Sequence, residues 1–185
     1  MPRSSSTPIS SKQGLKDYLE NITALVMAEV AKKITELLYS NVNDLWYSKG
    51  WTPETHFRTG EVLDSITFDN PIKNGNKITV KIYFDTDLIE PHSRFEFAGG
   101  TALNEHMSID GTTSYGGRSI GSWVVEWMEE GQGMNGGRSI VPYAGVHFFE
   151  KTESQVGDKS TGDISAWTTG IVRQAYRKYG IRIIG

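Results

Sequence analysis

The chain has 185 residues, with 19 lysines and arginines against 22 aspartates and glutamates, 20 glycines and no cysteine. The lack of cysteine excludes a disulfide scaffold, a cysteine-bound metal centre and a cysteine nucleophile. No apolar run approaches the roughly 18 residues of a spanning helix, and the first residues contain no apolar segment typical of a secretory signal, so we expect neither.

The N-terminal quarter combines a polar arm with a long helix. Residues 1–12 are rich in serine and proline, which predicts a flexible arm. Apolar residues then recur at three- and four-residue steps, and Ser10 and Gln13 are spaced as a capping box. We therefore predict one helix over about residues 12–40, with a continuation toward Trp46. At 1.5 Å per residue it spans roughly 40 Å, so it must overhang a single core or pack against a neighbouring chain.

A β-hairpin is predicted next, after Gly50 and Pro53 interrupt the helical periodicity. Residues 77–85 alternate between apolar and polar, as a half-buried antiparallel strand does. Asn74-Gly75 is a tight-turn signal. We predict a hairpin of about residues 64–70 with 77–85, and a further short strand within residues 93–100.

Glycine is concentrated in one segment of the chain. Eleven of the 20 glycines fall between Gly99 and Gly145, which predicts a loop-rich insertion at about residues 99–145. Ser119 and Gly131 have the positions of cap and stop for a short helix inside it. The predicted apolar stripe of that helix comprises Ile120, Trp123, Val124, Trp127 and Met128. The pentapeptide Gly-Gly-Arg-Ser-Ile stands on both sides, around Arg118 and Arg138.

A second amphipathic helix is predicted near the C-terminus. Ser160 and Asp163 are spaced as its cap, Gly180 as its stop, and basic residues fill its last turn. Its predicted stripe comprises Ile164, Trp167, Ile171, Val172, Ala175, Tyr176 and Tyr179. Residues 181–184 are short enough for a terminal strand. The order of elements predicts a single α+β domain over residues 13–185.

Charge is distributed unevenly along the chain. The first 13 residues carry +2 and the last 15 carry +4, which leaves −9 in the middle. The basic C-terminus fits either a solvated helix face or a contact with DNA. The two arginines Arg118 and Arg138 could hold phosphates or carboxylates, or the repeated segments could be plain loop punctuation.

Few residues are arranged for catalysis. None of the four histidines lies at metal-ligand spacing to another, and no phosphate-binding loop or nucleophile motif is present. Asp85, Asp87, Glu90 and His92 fit either a metal or nuclease cluster or a polar loop after a strand. Trp46 and Trp51, in a predicted loop, fit either a partner interface or the core, whereas the three tryptophans on helical stripes are predicted to be core.

One short motif resembles a known family. Arg58-Thr59-Gly60 followed by Leu63-Asp64-Ser65-Ile66 resembles the RTG-x-LxxSI signature of tail-completion and head–tail joining proteins of long-tailed bacteriophages. In that family a long N-terminal helix precedes the signature, and a β-hairpin, an EFGT-like turn and a phenylalanine-led helix follow it. Here residues 95–101, FEFAGGT, resemble the turn, and residues 146–152, VHFFEKT, resemble the start of the helix. The glycine-rich insertion lies between these two motifs.

The resemblance implies a structural virion protein without catalytic residues, metal or cofactor. Such a protein forms a homo-oligomeric ring, of six or twelve copies, in the phage neck, after assembly in the host cytoplasm. Its partners are the portal or adaptor proteins of the head and the terminator or tube proteins of the tail, with DNA in the lumen and no membrane.

The resemblance also assigns roles to segments of the chain. Arg58, Thr59 and Gly60 would form a turn after which Leu63 and Ile66 enter the core. We expect the insertion to carry partner contacts, so that deletion of residues 103–140 leaves folding intact. Two alternatives stay open, another phage assembly protein such as a tail terminator, tube or minor capsid component, and a metal-dependent hydrolase.

Overall fold

The computed structural model describes residues 11–48, 60–89, 114–115, 118–119, 125–126, 128–130 and 145–183. Over these residues the fold is α+β, as the sequence predicts. Its helices are α1 (Lys12–Val42), which continues as a π-helical turn (Asn43–Tyr47), α2 (Glu61–Asp64), α3 (Phe148–Val156) and α4 (Ala166–Lys178), with a 3-10 turn over Thr86–Leu88. The strands form antiparallel pairs, β1 (Ile66–Phe68) with β4 (Ile82–Phe84), β2 (Ile72–Asn74) with β3 (Lys77–Thr79), β5 (Ser114–Tyr115) with β6 (Arg118–Ser119), and β7 (Gly157–Asp158) with β8 (Asp163–Ile164).

Helix α1 begins one residue after its cap, Ser11, whose Oγ accepts a hydrogen bond from the N–H of Gly14 at 3.0 Å. The prediction of Ser10 and Gln13 as the capping pair is therefore wrong, because the Gln13 side chain donates to Asp17 Oδ1 instead, at 2.7 Å. The helix contains neither glycine nor proline after Gly14, which favours its length. Its continuation through the π-helical turn includes Trp46.

The predicted hairpin is present as two short ladders in series. Ile66 pairs with Phe84 near its base, and Asn74 pairs with Lys77 at its tip. Gly75 has a φ of 60° at the first position of the two-residue loop, as glycine has in a type II′ turn. The predicted alternation is present over residues 77–82, since residues 78, 80 and 82 are partly buried and residues 77, 79 and 81 are exposed, and Phe84 is buried as predicted. Tyr83 and Asp85, which are predicted on the exposed face, are also partly buried.

Two apolar clusters share α1. The first cluster lies around the C-terminal half of the helix and consists of Leu38, Val42, Val62, Leu63, Phe84, Ile89, Val125, Met128 and Phe148. The second lies farther toward the N-terminus and consists of Ile22, Val26, Val30 and Ala175, with Ile34, Ile171, Val172, Tyr176, Tyr179 and Ile181 packed against it. One continuous helix thus supplies a wall to both clusters.

A buried polar contact fixes α3 on α1. The amide of Asn41, which is almost fully buried, donates to Thr152 Oγ1 at 2.9 Å and to Gln155 Oε1 at 2.7 Å. The Thr152 hydroxyl in turn donates to the carbonyl of Phe148 at 2.7 Å. Because the amide nitrogen of Asn41 and the hydroxyl of Thr152 are paired in this way, their burial is tolerated. Helix α3 begins at the phenylalanine pair where the family resemblance places a helix.

The C-terminal helix starts later than predicted. Its cap is Ser165, whose Oγ accepts from the N–H of Thr168 at 3.1 Å. Ser160 instead donates from its N–H and Oγ to the Asp158 carboxylate, in the turn between β7 and β8, and Asp163 belongs to β8. The predicted cap of Ser160 with Asp163 is therefore wrong.

The register of the C-terminal stripe also differs from the prediction at its first two positions. Ile164 is 60% exposed and Trp167 is 40% exposed, whereas Thr168 is buried. Ile164 precedes the helix, so helical spacing does not apply to it. Residues 181–183 form no strand, because the chain turns at Gly180 and the N–H of Ile181 donates back to the Tyr176 carbonyl at 3.0 Å.

Part of the predicted insertion belongs to the core. Residues 125, 126 and 128–130 are helical, Val125 is buried, and Met128 is 1% exposed within the first cluster. The carbonyls of Met128 and Glu129 accept from the N–H groups of Val146 and His147 at 2.9 and 3.1 Å. These contacts argue against the expectation that residues 103–140 are dispensable for folding. The other predicted stripe residues, Ile120, Trp123, Val124 and Trp127, and the strand within residues 93–100 lie outside the described residues.

Candidate assembly surfaces

The described part of the family-like signature, from Gly60 to Ile66, forms a corner between α1 and the hairpin. Gly60 has a φ of 85° and its carbonyl accepts from the N–H groups of Leu63 and Asp64 at 2.8 and 3.1 Å. Leu63 is buried in the first cluster and Ile66 packs against it from β1, as the sequence predicts. Arg58 and Thr59 lie outside the described residues.

Ser65 ties this corner together. It is fully buried, and its Oγ donates to the Val62 carbonyl at 2.8 Å. Its own carbonyl accepts from the N–H of Asp85 at 2.7 Å, which connects the end of α2 to the end of β4. Each of these contacts satisfies a polar group inside the fold, so Ser65 stabilises the corner.

The first turns of α1 carry an exposed apolar face. We call it the α1 overhang and define it by Leu15, Tyr18, Leu19 and Leu25, whose side chains are 43 to 49% exposed. Leu15 and Leu19 precede Ile22 at helical spacing, so they extend the stripe that α4 covers farther along the helix. Four large apolar side chains within 11 residues of one helix form a patch of the kind that marks a protein interface.

The four residues predicted at a partner interface lie in different surroundings, and two of them are outside the described residues. Trp46 is partly buried and packs against the first cluster, and it lies in the π-helical turn, so the prediction of a loop at this residue is wrong. The backbone of Arg118 lies in β6, paired with Tyr115. Trp51 and Arg138 lie outside the described residues.

Carboxylates collect beside the signature corner. Asp64 ends α2, which lies against the 3-10 turn, and Asp85 and Asp87 belong to that turn and its cap. The Asp85 carboxylate accepts from the N–H of Asp87 at 3.4 Å, so it caps this turn. No group of three or more acidic or histidine side chains among the described residues is placed to hold a metal ion. Glu90 and His92, the other members of the predicted cluster, lie outside those residues.

The hairpin contributes one further acidic contact near this corner. The Tyr83 hydroxyl donates to Asp69 Oδ1 at 3.1 Å. This hydrogen bond, together with the negative charges of Asp69 and Asp85, raises the pKa of Tyr83 above its ordinary value.

Basic side chains collect at the other end of the molecule. Arg177, Gly180, Ile181 and Arg182 line an open groove of about 430 Å³ just after α4. The neighbouring Lys178 forms an ion pair with Glu29 of α1. Their hydrogen bond lowers the pKa of the Glu29 carboxyl and raises that of the Lys178 ammonium group. Lys73 and Glu20 form a second pair between the hairpin tip and α1.

Several of these features carry no clear signal in the sequence. The sequence indicates the α1 overhang only as a helix too long for one core, and it does not single out the exposed residues. The acidic side chains at the corner are distant from one another in the chain. The arginines of the groove come together because the backbone bends back after α4. No linear sequence motif therefore identifies either surface.

No helix within the described ranges has the combination of length and apolar character required to cross a membrane. Comparisons with protein-family models, with curated proteins and with solved structures found no match to this chain.

Proposed function

We propose that this chain is a structural protein of a tailed-phage neck, which forms a homo-oligomeric ring, completes the tail and joins it to the head connector. The observation that carries the proposal is the architecture of the signature corner. Its described residues bury Leu63 and Ser65 and bring the long helix and the hairpin together. A motif that stabilises the fold in this way is what we expect of a structural protein that acts by assembly.

One further feature supports assembly as the function, and another argues against the alternative of a hydrolase. The α1 overhang presents four large apolar side chains, which a subunit in a ring would bury. The alternative of a metal-dependent hydrolase receives less support, because the Asp85 carboxylate already accepts a backbone hydrogen bond as a cap. The portal or adaptor on one face and the terminator or tube on the other are the proposed partners, and the virion is the proposed location.

The proposal is tested by locating the protein in a phage particle. Virions from a lysogen or phage that encodes this chain would be examined by electron microscopy with an antibody against it, and the purified protein by light scattering. We expect label at the head–tail junction and a closed oligomer of the pure protein or of its mixture with neck proteins. Label along the tail would favour a terminator or tube protein. Absence of the protein from virions would refute the proposal.

A further inference from the structure

Two surfaces of opposite charge lie at opposite ends of this fold. We name the first the acidic corner, made of Asp64, Asp85, Asp87 and Leu88, and the second the arginine groove, made of Arg177, Gly180, Ile181 and Arg182. The separation follows from α1. The acidic corner rests on the first cluster, which contains Val42, and the arginine groove rests on the second, which contains Val26. Sixteen residues of helix correspond to about 24 Å.

The described part of the chain does not neutralise the acidic corner. Among those residues, no lysine or arginine lies within ion-pair distance of Asp64, Asp85 or Asp87. Beside these carboxylates, the side chain of Leu88 is 53% exposed. The acidic corner therefore presents one exposed apolar side chain, Leu88, beside three carboxylates.

The arginine groove complements the acidic corner, because it combines an apolar wall with positive charge. Ile181 gives it an apolar wall, and arginine stems add apolar surface while their guanidinium groups stay in water. Neither Arg177 nor Arg182 forms an ion pair with a carboxylate among the described residues, whereas the neighbouring lysine, Lys178, is paired with Glu29. Guanidinium groups recognise carboxylates through paired hydrogen bonds.

We propose that the arginine groove binds the acidic corner of a second copy of this chain, with Leu88 against Ile181 and the carboxylates facing the two guanidinium groups. The inference rests on the proposed ring and names the contact between its subunits. Charge complementarity selects this occupant, because a pairing of like surfaces would place acid against acid or arginine against arginine. When the groove and the corner of one copy contact two different neighbours, the interface is heterologous, and repetition of it closes a ring when the rotation permits.

The test uses two charge-reversed forms of the full chain. Arg177→Glu with Arg182→Glu changes only the groove, and Asp64→Lys with Asp87→Lys changes only the corner. Asp85 is left intact because it caps the 3-10 turn. Lys33→Glu with Lys159→Glu reverses two exposed charges outside both surfaces and serves as the matched control. Circular dichroism and thermal unfolding establish that each variant folds.

Sedimentation velocity then reports association at low and at high salt. We expect the original chain and the control to self-associate, more weakly at high salt, and each reversed form to associate at least about tenfold more weakly. The decisive sample is an equimolar mixture of the two reversed forms. In the mixture, the intact corner of one form meets the intact groove of the other, and the introduced lysines meet the introduced glutamates, so self-association should be recovered.

The outcomes separate this inference from the function on which it rests. Self-association of both reversed forms at the original strength overturns the interface while leaving a ring through other surfaces possible. A mixture that stays monomeric also overturns it. Recovered self-association in the mixture, together with absence of the chain from virions, keeps the interface and refutes the neck function.

Discussion

Gly60 opens the signature corner with a left-handed backbone that costs a residue with a side chain about 1–2 kcal/mol. A Cβ at this position would meet no atom within 4 Å, so the cost resides in the backbone alone. We expect Gly60→Ala to lower the free energy of unfolding by about 1–2 kcal/mol.

Gly170 provides the matched control for this substitution. It lies inside α4 with an ordinary helical backbone, and a Cβ added there would likewise meet no atom within 4 Å. Gly170→Ala should raise the free energy of unfolding by about 0.4–1 kcal/mol, since it restricts the unfolded chain. Urea denaturation of both variants measures the difference in sign, and equal losses would contradict the assignment of strain to Gly60.

Ser65 and Ser154 form the same local hydrogen bond in different surroundings. Each Oγ donates to the carbonyl three residues earlier at 2.8 Å, but Ser65 is buried and Ser154 is exposed. Removal of the buried donor leaves the Val62 carbonyl without this partner and should cost about 1–3 kcal/mol. Ser65→Ala should therefore be destabilised in chemical denaturation, while Ser154→Ala changes by less than about 0.5 kcal/mol. Similar values for both would show that burial at Ser65 is unimportant.

At the scale of elements, the helical residues of the insertion act as part of the core. Met128 fills the first cluster, and Glu129 Oε2 accepts from the N–H of Phe149 at 3.0 Å, at the start of α3. Met128→Ala should lower the free energy of unfolding by about 2–5 kcal/mol, as for other large-to-small core substitutions. The exposed neighbour Glu130 is the control, and Glu130→Ala should stay within about 0.5 kcal/mol of the original chain. Tolerance of Met128→Ala would restore the view of a dispensable insertion.

The pairing of α1 with α4 should respond to pH through Glu29 and Lys178. The pKa of Glu29 is lowered in the folded state, so its contribution is present above its ordinary value of 4.5 and is lost as the pH falls through the folded value. The pKa of Lys178 is raised, so its contribution is complete below its ordinary value of 10.5 and is lost as the pH rises through the folded value.

Lys178→Met removes this pair and should reduce the thermal midpoint at pH 7. The difference from the original chain should shrink at pH values below the folded pKa of Glu29, where the carboxyl is protonated in both states. Lys33→Met, which removes a pair within α1 alone, is the control and should have the smaller effect. A difference that stays constant down to pH 2 would show that lost packing, and not charge, causes it.

At the scale of the whole molecule, two adjacent residues of α1 should distinguish folding from the proposed assembly. Leu25 is 49% exposed in the α1 overhang, whereas Val26 is 2% exposed in the second cluster. Leu25→Ser should weaken self-association in sedimentation experiments. It should lower the unfolding midpoint less than Val26→Ala does, because about half of the Leu25 side chain is already exposed to solvent. Val26→Ala should do the reverse and cost about 2 kcal/mol of stability. Unchanged association of Leu25→Ser would remove the overhang from the interface.

The helices, strands and turns are predictable from the sequence where local periodicity or a local turn motif determines them. The three-to-four-residue spacing of α1, the alternation of residues 77–85 and the turn at Asn74-Gly75 each predict an element that is present. The caps are harder to predict, because several serines and aspartates near each helix start can accept the same hydrogen bond, and tertiary contacts decide between Ser160 and Ser165.

The candidate surfaces are less predictable for a physical reason. Asp64 and Asp85 are 21 residues apart in the chain, and the hydrogen bond from the Asp85 N–H to the Ser65 carbonyl brings them together. Periodicity places Met128 on an apolar stripe, but its position in the first cluster depends on contacts with α1 and α3. Trp167 fits the predicted stripe of α4 by spacing, but its side chain is exposed. It lies at the very start of the helix, which begins only one residue earlier at Ala166.

The shared wall of α1 has a consequence for how the molecule comes apart. Starting a helix is costly and extending one is cheap, so either cluster that orders its half of α1 makes the other half easier to form. Loss of either cluster conversely withdraws support from the helix on which the other depends. The two clusters are therefore thermodynamically coupled, and the described fold should melt in one cooperative transition.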